Sequence, residues 1–159
     1  MKYLYTAALL AVTAINFAQT HEFIKHNGEK LEVNYIKTEE KLVHYSIPKS
    51  TEEKIISTLA LAQIQDNNKS NSKIITDKVL IESASDYRKV QSVRLQETSG
   101  LQKIGSVSSF LGQTKGETYQ AFTDNALKRL QQLAAKKGAP FMVITSNTPQ
   151  NLKADLYSY

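Results

Sequence analysis

Cysteine is missing from all 159 residues. Its absence excludes disulfide bracing, thiol catalysis, thiolate metal sites and lipid attachment at a leader cysteine. No apolar run reaches membrane-spanning length either. The stretch from Leu4 to Ile15 falls short of the roughly 20 residues a spanning helix needs. It follows Lys2 and precedes the small residue Ala18, the pattern of a secretory leader cut between Ala18 and Gln19. Removal of residues 1–18 leaves about 140, enough for one domain or two small ones. The expected location is therefore the periplasm or the extracellular space, with no stable membrane insertion once the leader is gone.

Long basic runs are also lacking. The formal charge is +5, falling to +4 with loss of Lys2, and the pI is about 9.3. That charge attracts anionic surfaces, but Lys and Arg never occur four in a row and aromatics do not interleave them. Nucleic acid is not an expected partner. Catalytic signatures are equally scarce. Ser106, Ser108 and Ser109 precede a helix without a Gly-x-Ser-x-Gly elbow. His21 and His26 are five residues apart rather than the four of one helical face, and His44 lies further on. A hairpin could bring His26 and His44 together with Glu22 or Glu29, but nothing in the spacing selects such a metal site. Glu39-Glu40 and Glu52-Glu53 are adjacent pairs whose side chains diverge. The expectation is a protein that is not an enzyme, with no catalytic residues, no metal and no cofactor.

What is present is one strongly patterned stretch, Thr114 to Ser146. Thr114-Lys115-Gly116-Glu117 has capping-box spacing and predicts a helix start. Tyr119, Phe122, Ala126, Leu127, Leu130, Leu133 and Ala134 then recur at three- and four-residue steps, forming one apolar face. Gly138 and Pro140 stop the helix, and Phe141 to Thr145 reads as a short buried strand. Such a helix packs its stripe across a sheet.

Upstream, Asn27-Gly28 predicts a tight hairpin turn that pairs Ile24 with Leu31 and continues the same face through Val33 and Tyr35. Val43, Tyr45 and Ile47 alternate along a third strand ended by Pro48. Residues 50–64 fit a helix or a strand, and 65–72 read as an exposed polar turn. Strand character returns at Ile74-Ile75 and at Val79 to Ile81, and 83–86 mark a module boundary. Val90, Val93 and Leu95, then Ile104 to Ser108, precede the helix, and Leu152, Ala154 and Leu156 alternate after it. The strands flanking the helix are expected to be parallel neighbours. Tyr35, Tyr45, Tyr119 and Tyr157 fall on predicted elements as half-buried rings. Tyr157 and Tyr159, on an expected edge strand, could serve self-association or glycan stacking.

Val93-Arg94-Leu95, Gly100 to Val107, Ala126 to Leu130, Ala134 to Ala139 and Val143-Ile144 together resemble the small α+β domain of YbjQ-like and RcsF-like bacterial envelope proteins. The resemblance covers roughly 87–159, and its most specific part is the Ala-Ala-x-x-Gly-Ala turn. Residues 27–33, with Tyr45 beyond, look like β modules of uncharacterised exported Bacteroidota proteins. The lipid anchor and disulfides of the RcsF-like proteins have no counterpart here, whereas YbjQ-like domains tend to self-assemble. The reading is α+β: leader 1–18, a small antiparallel β module 19–82, and a ββαββ module 83–159 with one long helix on its sheet. The expected function is non-enzymatic contact with an envelope protein or with a second copy as a homo-oligomer. The alternative is a small-ligand or anion-binding domain using Ser108, Ser109, Gln113, Thr114, Lys115 and Gly116, because free amides at a helix start attract anions. That loop lacks the Walker pattern.

Overall fold

A computed structural model describes residues 20–67, 71–146 and 148–159. The leader lies outside the described residues. The first half is a six-stranded antiparallel sheet made of β1 (Thr20–Lys25), β2 (Lys30–Glu39), β3 (Leu42–Ser46), β4 (Glu53–Ser57), β5 (Leu61–Asp66) and β6 (Asn71–Ile74), in the order β4-β3-β2-β1-β5-β6. Phe23, Val33, Val43, Tyr45, Ile56, Leu61 and Ile64 line its inner face, with Leu31, Ile75 and Leu101 packed against them. Residues 50–64 settle as β4, a 3₁₀ turn at Thr58–Ala60 and β5. The Ser57 hydroxyl caps that turn by accepting the Leu59 N–H. The polar segment 65–72 is shorter as a turn than expected, since its described ends belong to β5 and β6.

The β1–β2 register differs from the sequence reading by one residue. Phe23 faces Leu31 and Ile24 faces Lys30. A two-residue turn would need positive φ at both Asn27 and Gly28, but only Gly28 has it, at +89°. The Gly28 N–H bonds the Lys25 carbonyl and the Lys25 N–H bonds Glu29, closing a three-residue loop with glycine in the left-handed position. With a side-chain period of two, that single step sends Phe23 rather than Ile24 into the core.

The second half contains β7 (Gln91–Ser92), β8 (Gln102–Phe110), the helix α1 (Tyr119–Lys136), β9 (Phe141–Ile144) and β10 (Asn151–Ser158), in the sheet order β7-β9-β10-β8. This is the expected ββαββ arrangement. The helix lays Phe122, Ala126, Leu130, Ala134 and Ala135 over the sheet, and Leu152, Ala154, Leu156 and Met142 share its core. Its C-terminus is a complete Schellman motif: Ala139 N–H bonds Ala134 and Gly138 N–H bonds Ala135, with Gly138 at φ +69°.

Several expectations need correction here. The helix begins at Tyr119 and is capped by Thr118, whose hydroxyl accepts the Ala121 N–H, so Thr114 and Glu117 close the turn before the helix rather than cap it. Tyr119, in the first turn, stays 65% exposed. Leu95 belongs to a 3₁₀ turn, and Val79 to Ile81 form no strand. The strands flanking the helix, β8 and β9, run in the same direction but are not neighbours, because β10 lies between them, antiparallel to both. β10 is therefore central, and the edge role expected for Tyr157 is ruled out. The parallel pair is β7 with β9.

The two sheets meet at an apolar joint of Leu59, Val93, Phe141 and Tyr157, bordered by Leu101, Val143 and Tyr159. Gly100 comes so close that a Cβ there would lie 2.6 Å from Ile56 Cγ1. No helix among the described residues is long and apolar enough to cross a membrane.

Candidate functional site

A concavity lies where the inner face of the first sheet runs past its core. His21 follows Phe23 outward along β1 at a two-residue step, so both point the same way. The pairings His21 with Asp66 and Phe23 with Ile64 bring β5 residues onto that face. Tyr35 arrives from β2, and the register shift after it re-aims the strand so that Thr38 Oγ1 sits 3.1 Å from the Tyr35 hydroxyl. Asn71, Ser72, Lys73 and Ile75 close the side formed by β6. The resulting cleft is about 500 Å³, floored by Ile64 and Ile75 and rimmed by polar groups. The His21 and Tyr35 rings stand 5.3 Å apart, inclined at 51°.

The three histidines occupy three different places. His21 lines the cleft. His26 Nε2 lies 2.9 Å from Thr76 Oγ1, and the Thr76 hydroxyl reaches the Leu61 and Thr58 carbonyls, so the histidine N–H donates to it. The Tyr159 ring stands edge-on 4.7 Å away, and the Lys78 ammonium donates to the His26 carbonyl. Burial and the Lys78 charge hold the His26 pKa below its ordinary value. His44 is on the opposite face, 2.5 Å from Glu53. Glu22 pairs with Lys30 and Glu29 with Lys25. Among the described residues no group of His, Asp and Glu could hold a metal ion.

The loop before α1 turns inward on one carboxylate. Glu117 Oε2 accepts from the Thr114 N–H and hydroxyl, Oε1 accepts from Asn125, and Gln113 donates to the Glu117 carbonyl. The Thr114 amide, followed by Asn125, holds the Glu117 pKa below the usual carboxylate range. Lys115 and Gly116 lie exposed at the turn, whereas Ser108 and Ser109 belong to β8. Ser109 is fully buried and its Oγ has no hydrogen-bond partner among the described residues. Ser106 donates to Asp155, and the three histidines all come from the first half of the chain.

The adjacent carboxylates diverge as expected: Glu39 pairs with Lys37, Glu40 with Arg94 and Glu53 with His44. Tyr45 packs on Phe23, Tyr157 is buried in the joint, and Tyr159 Oη accepts the Val79 N–H. Sequence reasoning missed Asp66 and Asn71 as site residues, having placed 65–72 in a turn, and missed Lys73 just beyond it. The alternation Ile64-x-Asp66 was the available signal, since it puts an acid on the core side of a strand.

No protein-family model, curated protein or solved structure matches the chain. The geometry alone must carry the reading.

Proposed function

We propose that this is an exported, non-enzymatic binding protein that works by contact with a protein partner, using the mouth of the first sheet. Support comes from one observation: aromatic, amide, acidic and basic side chains from four neighbouring strands converge on an open cleft with an apolar floor. Protein-recognition sites combine an apolar centre with a polar rim in this way. The export component rests on the leader pattern at residues 1–18. The anion-loop alternative is less favoured, because the donors around Thr114 already serve Glu117.

Photo-crosslinking from Tyr35 and, separately, from Tyr119 in the native compartment tests the proposal. Tyr35 should capture a defined envelope protein that Tyr119 does not, and Lys73→Glu with His21→Ala, which leave position 35 free for the probe, should abolish that capture without loss of fold. Equal labelling from both positions, or capture unchanged in the double variant, would refute it.

A further inference from the structure

Each sheet has two outer strands, and exposed strand edges are templates for further pairing unless something blunts them. Three of the four are closed. On β4, the Ser57 N–H bonds the Ser99 carbonyl and the Ser99 hydroxyl bonds the Ile55 carbonyl, so the end of the Leu95–Thr98 turn already occupies that edge. β7 is only two residues long. β8 is interrupted by a register shift at Gly105, and the Lys137 ammonium lies on the Ser106 carbonyl, 3.0 Å away. A bulge and a lysine are the two devices that most directly discourage edge pairing.

β6 also carries a lysine, but Lys73 lines the cleft rather than lying on an outward carbonyl, and the β5–β6 ladder runs without a bulge. The Ile75 N–H bonds Ala62 on β5, and partners alternate in an antiparallel ladder. Lys73 and Asn71 therefore also turn their peptide groups toward β5, while Ser72 and Ile74 turn theirs outward. Among the described residues those outward groups have no partner. All four β6 residues are exposed, Ile74 by 72%. On the inner side the same strand forms one wall of the cleft through Asn71 and Lys73. No carboxylate among the described residues pairs with the Lys73 ammonium.

Resting on the reading of the protein as a partner-binding module, we infer that β6 receives an extended acidic peptide segment of the partner as a seventh strand. Ser72 and Ile74 exchange main-chain hydrogen bonds with the incoming segment, and its side chains alternate across the sheet. The residue beside Lys73 faces the cleft and carries a carboxylate. Its neighbour on the outer face lies against Ile74 and is β-branched or aromatic. The net positive charge, +5 for the whole chain and +4 without Lys2, favours encounter with such a segment.

The test uses the purified protein and an end-blocked peptide, Thr-Val-Glu-Val-Glu-Val, at high excess. Amide hydrogen exchange should slow at Ser72 and Ile74 and not at Ile55 or Ser106. N-methylating alternate peptide amides should weaken binding in one phase by roughly fivefold per amide and spare it in the other. Lys73→Glu should weaken binding by about threefold to fivefold and reverse the preference for the Lys-for-Glu peptide. Main-chain pairing tolerates sequence, so unchanged exchange at Ser72 and Ile74 overturns the inference. If Tyr35 still crosslinks a partner in that case, the binding-protein reading stands and only strand addition fails; loss of both ends both. Protection of Ser72 and Ile74 without peptide, in a concentration-dependent dimer, would also overturn the peptide in favour of a second copy.

Discussion

At the scale of single residues, Gly100 and His26 make sharp demands of opposite kinds. Gly100 sits at φ +84° beneath Ile56, so a side chain there meets both backbone strain and a buried side chain that would have to shift. Gly100→Ala should destabilise the fold by about 1–3 kcal/mol, read from chemical denaturation. His26 is an acid-sensitive point. Its folded pKa is lowered by burial and by Lys78, so below its ordinary value of about 6.5 the unfolded chain binds more protons than the folded one. Stability from this site is therefore full above pH 6.5, falls as the pH drops below it, and levels off under the folded pKa. His26→Gln can keep an N–H donor for Thr76 without titrating, and should flatten that part of a denaturation-versus-pH profile. Losses from Glu117 and Asp155, whose partners hold their carboxyls low, begin only nearer pH 4.

At the scale of elements, the two threonines before the helix divide the work unequally. Thr118 caps α1 directly, so Thr118→Ala should cost about 1 kcal/mol. Thr114 serves an exposed turn, and Thr114→Ala should change the unfolding midpoint far less. Elements whose cause is local were legible in the sequence: the 3.6-residue stripe through Phe122, Ala126 and Leu130, the Gly138 stop, and the alternation of Val43 with Tyr45. Elements set by long-range pairing were not. Nothing near Leu152 announces that its strand lies between β8 and β9, and nothing near Asn27 shows that Gly28 alone would take positive φ. The cleft was the hardest to see, because His21, Tyr35, Asp66 and Lys73 come from separate strands and form no spaced motif.

At the scale of the whole molecule, the halves are tied by shared burial. Leu59 from the first sheet packs with Val93, Phe141 and Tyr157 from the second, and Ser99 closes the β4 edge across the same joint. Leu59→Ala should therefore lower the stability of both sheets together by about 2–5 kcal/mol. A differential scan resolving two transitions, only one of them moved, would contradict that coupling. The central place of β10 also bears on the order of assembly. Residues 20–74 contain every strand of the first sheet, whereas β8 has no ladder partner until β10 arrives more than forty positions later. Such distant closure is slow relative to nearby hairpins. In a pulse-labelled refolding experiment the amides of β1 and β2 should gain protection first and those of β8 last. During that interval a nine-residue ribbon has neither its neighbour nor the helix over it, so clumping of nascent chains should begin there.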